Sequence, residues 1–371
     1  MSFHKPRRPL GEPVSPPAAA PYLEPVPVPP PAHLELPLST VLPDIDDAAS
    51  KIGRLVFHCV GDTGGVAGTE MEGAVAAAME AQVTAAKDGT PSFLYHLGDV
   101  VYYNGASTDY VSQFYEPYQY YPGPIFAIPG NHDGDRRVRK GDDPDGEPSL
   151  YGFFKNFCSP TPEDYFKHRP TMTQPYCYWT LAAPYLRIVG LYSNVDGLLD
   201  AQQQLWLRQQ LASCPKDKWL LVAVHHPCFS LDATHGGYVD VLDTLDKAAG
   251  AARRWPDAVL SGHVHDYQRF SRAIHGHGAI PYIVAGAGGY AHTPRLIHQL
   301  QKGLGIGKLP FQTTRPDVKL EAYNCEDSGF LRIAVDPSRL LIEYFAVPFE
   351  GDVPRDAFDS VAITATQHKT A

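Results

Sequence analysis

Five short apolar runs each break off at a loop that opens on a polar residue: RLVFHCV (54–60), SFLYHL (92–97), IFAI (125–128), WLLVAVH (219–225) and DAVLS (257–261). Runs of this length bounded by Gly, Pro or His read as buried strands. Helical stretches lie between them. EMEGAVAAAMEAQVTAAK (70–87) is rich in alanine, with acids at its start and lysine at its end, as a helix dipole favours. Two more fall near 200–212 and 239–254. GFLRIAV (329–335) and RLLIEYFAV (339–347), joined by DPS, read as a hairpin, as do YCYWTLA and YLRIVGLY within 176–192. Strands alternating with helices predict an α/β fold. The strands are too many for one sheet, so the expected architecture is two mixed β-sheets packed face to face and flanked by helices.

The chain divides by composition. Residues 1–43 hold 13 of the 35 prolines, including PVPVPPP at 25–31, which excludes a helix or a central strand there. The expected organisation is an extended Pro-rich arm (1–50), a catalytic domain (51–350) and a C-terminal tail (351–371). LELPLSTVLP carries enough apolar residues for the arm to pack along the domain. Residues 134–175, with GDRRVRKGDDPDGEPS, read as a long loop or insertion.

A net charge of −10 argues against a nucleic-acid backbone as the main partner, and no basic nucleic-acid-binding patch is expected. No run approaches the roughly 18 apolar residues of a membrane helix. The six cysteines form no CxxC pair, so neither a disulfide framework nor a thiolate zinc site is expected. No apolar segment follows the basic PRR at 6–8, so no signal peptide is read and the expected compartment is the cytoplasm.

The strand ends share a chemistry. Asp62, Asp99, Asn131, His225 and the pair His263 and His265 all sit where a run gives way to a loop. Loops at the carboxyl ends of strands in open α/β sheets converge on one crevice, so these residues are expected to meet. Carboxylate, amide oxygen and imidazole together suit Fe, Zn or Mn. The donors are too many for one tetrahedral ion with an open position. They fit two ions sharing a carboxylate, as in hydrolytic two-metal sites.

GDTG (61–64), GDVVY (98–102), GNHD (130–133), VAVH (222–225) and GHVH (262–265) resemble, in order, the five motifs of the purple acid phosphatases, within the calcineurin-like metallophosphoesterase superfamily. The resemblance runs from about residue 54 to about 346. It implies that Asp62, Asp99, Tyr102 and His265 hold one metal, and that Asp99 is shared with a second held by Asn131, His225 and His263. In most of the superfamily the first motif is D-x-H, whereas here that position is Gly64 and the resemblance makes Tyr102 the replacement ligand. A phenolate favours a trivalent ion, so Fe(III) is implied at the Tyr102 site, with Zn, Mn or Fe(II) at the other. His132 is implied as a phosphate contact, with Asp133 orienting its imidazole. His235 is implied as phosphate binder or general acid, with His226 as a rival that more readily lines the pocket.

The function so implied is dinuclear-metal-dependent hydrolysis of phosphate monoesters, of the acid phosphatase type, with metal-activated water attacking phosphorus in line. The partner is then a small phosphorylated substrate. The alternative is a phosphodiesterase or nucleotide hydrolase using the same site. The seven tyrosines of 101–123 would then stack on a base or sugar, or simply pack the loop. A non-hydrolytic redox or binding protein is the remote alternative. Oligomeric state is not legible.

Overall fold

The structure, a computed structural model, describes residues 8–18, 21–85, 89–136, 146–164 and 169–365. Two large mixed sheets pack face to face, as the sequence predicts. One has six strands, in the spatial order Asp359–Thr364, Arg339–Val347, Ser328–Val335, Leu55–Val60, Leu94–His96, Ile125–Ala127. The other has nine, in the order Phe311–Gln312, Val318–Asn324, Tyr267–Ile274, Gly278–Ala285, Ala258–Ser261, Trp219–Val224, Leu186–Leu191, Trp179–Ala183, Glu35–Pro37. The long pair Tyr267–Ile274 and Gly278–Ala285 was not anticipated. Its polar residues, Gln268, Arg269, Ser271 and Arg272, obscure the apolar pattern that marks the other strands.

Strand periodicity explains the layering, because successive side chains point to opposite faces. Along Trp219–Val224, residues Trp219, Leu221 and Ala223 enter the core between the sheets. Leu220, Val222 and Val224 face outward, beneath helices Ala201–Ser213 and Val239–Ala252. On the opposite side, Val60, Leu94 and Ile125 face outward against Val75 and Met79 of helix Glu70–Ala85. The inter-sheet core is rich in aromatics. Phe57 stacks on Phe93 at 4.7 Å, and buried Trp179 lies 6.0 Å from Tyr95. Aromatic side chains of this size contribute about 3–5 kcal/mol each to a core.

The Pro-rich arm is packed along the domain rather than free. Glu35–Pro37 adds a parallel edge strand beside Trp179–Ala183, and Val14–Ser15 pairs with Gly237–Tyr238. Helix Ile45–Ile52 runs across the expected division at residue 50. The segment from 351, expected as a tail, carries strand Asp359–Thr364, because Val361 and Ile363 alternate onto the inter-sheet core. Residues 137–145 and 165–168 of the expected insertion lie outside the described residues, and its helix Tyr151–Phe157 sends Phe153 and Phe157 into the core beside the six-stranded sheet. All six cysteines are free. Among the described residues no helix is long and apolar enough to cross a membrane.

Candidate metal centre

The parallel strands of both sheets end on the same side of the sandwich, and their loops are laced together there. Gly61 N–H donates to Ala285 O at 3.1 Å, Asp62 N–H to Gly98 O at 3.0 Å, and Gly262 N–H to His225 O at 3.0 Å. Asp62, Asp99 and His263 all adopt left-handed backbone, with φ of 59°, 53° and 69°. Non-glycine residues rarely adopt that conformation, and functional sites are where it concentrates. It turns each side chain back over the strand end.

All seven side chains expected as ligands converge, in two adjoining groups. In the first, Tyr102 Oη lies 3.4 Å from Asp62 Oδ1 and 3.3 Å from His265 Nε2, and His265 Nε2 lies 3.5 Å from Asp62 Oδ1. In the second, Asn131 Oδ1 lies 3.1 Å from His225 Nε2 and 2.9 Å from His263 Nδ1. Asp99 Oδ2 joins the second group at 3.3 Å from His225 Nε2, and Asp99 also bears directly on the Tyr102 phenol.

These atoms fit a cation-binding role. Donors bound to one ion at about 2.0–2.2 Å stand roughly 3 Å from one another, as these do. The His225 Nδ1–H is committed to Leu97 O at 2.9 Å, so in the neutral ring the Nε2 lone pair faces the Asn131 carbonyl oxygen. Two lone pairs at that distance repel unless a positive charge lies between them. The pKa directions agree. Burial, with Asp99 adding to it against His225, pushes Asp62 up to about 8. Burial alone would lower His225, but Asp99 and then Asp62 raise it to about 9. Burial pushes His265 down to about 3 and His263 well below its usual value, leaving both as neutral donors. The hydrogen bond from His263 Nε2 to Tyr238 Oη, at 2.8 Å, sets that ring's orientation.

Close backbone packing explains two glycines of the motifs. A Cβ on Gly64 would sit 2.6 Å from Val100 O, so no histidine fits there and the first motif cannot contribute a second ligand. A Cβ on Gly130 would sit 2.1 Å from Asp99 Oδ1.

Beside the two groups opens a cleft of about 1140 Å³, lined among others by Tyr103, His132, His235, Tyr290 and His298. His132 reaches it as expected, with its ring 4.5 Å from that of Tyr102 and Nδ1 on Tyr103 O at 2.8 Å. Asp133 does not orient that ring. Its buried carboxylate accepts the amides of Gly130 at 2.8 Å, Val100 at 3.2 Å and Val101 at 3.3 Å, bracing the loops of Asp99 and Asn131 instead. The acid that does hold an imidazole is Asp232, which sequence reasoning missed. Its Oδ1 accepts Thr234 Oγ1–H at 2.9 Å and His235 N–H at 2.7 Å, while Thr234 Oγ1 lies 2.9 Å from His235 Nδ1. The signal was local: D-x-T-H is a turn pattern in which an aspartate caps the next backbone amides.

His226 is not at the pocket wall. It is buried behind His263, with ring centroids 4.4 Å apart and Nδ1 on Ser193 Oγ at 2.7 Å. Tyr110, Tyr115, Tyr118 and Tyr121 pack the core, so of its seven tyrosines the 101–123 loop gives the cleft Tyr102 and the 41% exposed Tyr103. Tyr290, also missed, packs against Tyr102 with ring centroids 4.2 Å apart and the rings tilted by 34°. His58 and His96 are structural, bonded to Tyr121 Oη and Thr63 Oγ1.

The arm bears on this site. Pro13 O accepts the amides of both Ser230 and Gly237, and the Arg8 guanidinium bonds to the carbonyls of Ser230 and Asp232. The arm therefore clasps both ends of the loop that carries His235, and continues into the Tyr238 that orients His263. Deleting residues 1–18 is expected to lower kcat about tenfold, since small displacements of positioned groups are costly. Steady-state kinetics with circular dichroism checks this, and unchanged kcat would show the clasp to be dispensable.

The calcineurin-like phosphoesterase family matches residues 55–267, which include every residue of the two groups. A probable glycerophosphodiester phosphodiesterase GpdQ of Arcobacter nitrofigilis is 27% identical over 183 residues, covering 47% of this chain and 57% of that protein. Purple acid phosphatase 22 of Arabidopsis thaliana is 29% identical over 121 residues, covering 31% of this chain and 27% of that protein. The chain thus spans little more than half the length of the first relative, and less of the second. In fold it is similar to the purple acid phosphatase PPD1 from yellow lupin (Lupinus luteus) seeds, with a TM-score of 0.60 at 16% identity over 86% of this chain and 55% of that one. Relatives of these kinds imply a dinuclear metal site, and the two donor groups are where this chain would hold it. By the match over residues 55–267, which spans more than half of its length and carries all of the clustered donors, the chain belongs to the calcineurin-like phosphoesterase family.

Proposed function

We propose that this protein hydrolyses phosphate monoesters at a dinuclear metal centre. Asp62, Tyr102 and His265 would hold one ion and Asn131, His225 and His263 the other, with Asp99 common to both. The observation that carries the reading is the presence of the Tyr102 phenol inside the first group, 3.3 Å from His265 Nε2. A buried phenol beside two carboxylates has its pKa raised well above the usual value, by burial first and then by Asp99 and Asp62. Only a strongly polarising cation offsets that, which favours Fe(III) at this position and Zn, Mn or Fe(II) at the other. Bound there, the pair supplies Lewis-acid polarisation of the phosphoryl oxygens and acidifies a water for attack.

The chain's own residues do the rest. The Asp99 carboxylate accepts the His132 backbone N–H at 2.8 Å, which couples the shared ligand to the loop that meets substrate. His132 donates Nδ1–H to the Tyr103 carbonyl at 2.8 Å, and only its imidazolium form would also donate Nε2–H to a phosphate oxygen. His235 lines the cleft and is held through Nδ1 by Thr234 and Asp232, so its imidazolium form would supply Nε2–H to the leaving oxygen. The clasp by residues 8–15 makes the arm part of this catalytic unit rather than an independent module.

The cleft volume supports a second reading, a phosphodiester substrate, since about 1140 Å³ leaves room for a second ester arm. The two differ in charge. A monoester dianion gains more from two cations and flanking imidazoles than a diester monoanion does. Turnover of 4-nitrophenyl phosphate is therefore expected to exceed that of bis(4-nitrophenyl) phosphate by about tenfold or more in kcat/KM. A reversed ratio would establish the diesterase reading, and no turnover of either would end both.

A further inference from the structure

His298 faces the cleft with no part in the two donor groups and no place in the five motifs. It lies in the loop after Tyr290, and its pairing with His265 is reciprocal. The backbone N–H of His298 donates to His265 O at 3.0 Å, and the backbone N–H of His265 donates to His298 Nδ1 at 3.1 Å. An N–H pointing at Nδ1 requires a lone pair there, so the proton of the neutral ring is on Nε2. The ring is also held flat. It stacks on His265 at 4.5 Å and 22°, and on His235 at 4.8 Å and 2°. Nε2 has no protein partner among the described residues, and the side chain is 18% exposed at the cleft wall.

A third cation site made of Asp232, His235 and His298 is the rival explanation, because one donor atom from each lies within 4.8 Å of the others. The atoms of these residues that lie nearest one another, Asp232 Oδ1 with His235 Nδ1 at 3.4 Å and His298 Nδ1 at 3.8 Å, are already engaged. Asp232 Oδ1 accepts from Thr234 N, Thr234 Oγ1 and His235 N, and His298 Nδ1 accepts from His265 N. The outward-facing Nε2–H cannot bind a cation but can donate to an anion.

We propose that His298 is a substrate-binding residue, its Nε2–H donating to an oxygen of the bound phosphate ester beside His235. The orientation is set before substrate arrives, by the backbone of a metal-ligating residue on one side and by two stacked rings. This rests on the hydrolase reading above. Its closest functional neighbour is His235, with which it would form a two-imidazole wall on one side of the phosphate.

The test uses the metal-loaded protein and two replacements. His298→Asn places an oxygen where Nδ1 was, keeping the bond from His265 N–H, and leaves nothing at the Nε2 position. His298→Gln reaches the Nε2 position with an amide donor and gives up the loop bond. The Asn variant is expected to raise KM for 4-nitrophenyl phosphate and the inhibition constant of inorganic phosphate about tenfold each, with kcat within about threefold. The Gln variant is expected to recover most of both. Unchanged constants in the Asn variant would overturn the proposal. So would a loss of kcat and bound metal in both variants with KM unmoved, which would leave His298 only a loop support. If the parent protein binds inorganic phosphate by calorimetry but turns over no ester, the hydrolase reading falls. The proposal then stands or falls on whether phosphate affinity drops in the Asn variant and returns in the Gln variant.

Discussion

Replacing Asp99 with alanine is expected to reduce kcat/KM for phosphate ester hydrolysis about a thousandfold and to halve, or worse, the metal bound per chain. Asp99 meets both groups, through His225 Nε2 at 3.3 Å on one side and the Tyr102 phenol on the other. Burial opposes its ionisation, yet His225 and then His132 hold its pKa below the ordinary carboxylate value. Removing it strips charge from two cations at once and frees the His132 amide that donates to its Oδ1 at 2.8 Å. Losing a shared ligand of a two-ion site removes several kcal/mol of transition-state stabilisation, and each 1.4 kcal/mol is about tenfold in rate. Elemental analysis and 4-nitrophenyl phosphate kinetics on the same preparation provide the check. Intact hydrolysis with depleted metal would refute the dinuclear hydrolase.

The second large effect is on colour and rate together. The parent protein, loaded with iron, is expected to show a visible absorption band from the bond between phenolate and Fe(III). Tyr102→Phe is expected to abolish that band and to lower kcat about a hundredfold, through weakened hold on the more acidic cation. The ring itself remains in place, packed 4.2 Å from Tyr290 and 4.5 Å from His132, so the fold is not expected to suffer. The first motif offers the phenol no substitute. A Cβ at Gly64 would already meet Val100 O at 2.6 Å, which closes the position from which the first motif could have supplied a histidine. A colourless parent that carries only zinc or manganese and still works at full rate would refute the Fe(III) assignment, and a coloured Phe variant would move the phenolate elsewhere.

The donor groups were legible because their signals are short and local. The motifs GD, GNHD and GHVH each open within three residues of a buried strand end, where they interrupt an apolar run. Strand alternation likewise made the two-sheet sandwich readable. Asp133 misled because adjacency in sequence suggested contact with His132. In the fold its carboxylate turns inward to three backbone amides, and the left-handed turn at Asp99 brings two of those, Val100 and Val101, within its reach. The arm's composition excluded a helix and a central strand, but did not say where the arm lies.

What the sequence alone determined is therefore the inventory and its rough placement: an α/β sandwich, seven donors at strand ends, and a tyrosine where a histidine is missing. Only the tertiary structure decided which imidazoles line the cleft and which lie behind the clustered side chains. His226 and His298 are equally anonymous as letters, yet one is sealed behind His263 and the other stands in the cleft wall with its proton directed outward. That distinction depends on which backbone N–H or hydroxyl lies against each ring nitrogen. His265 and His298 are 33 positions apart, and contacts over such separations arise only once the chain has folded.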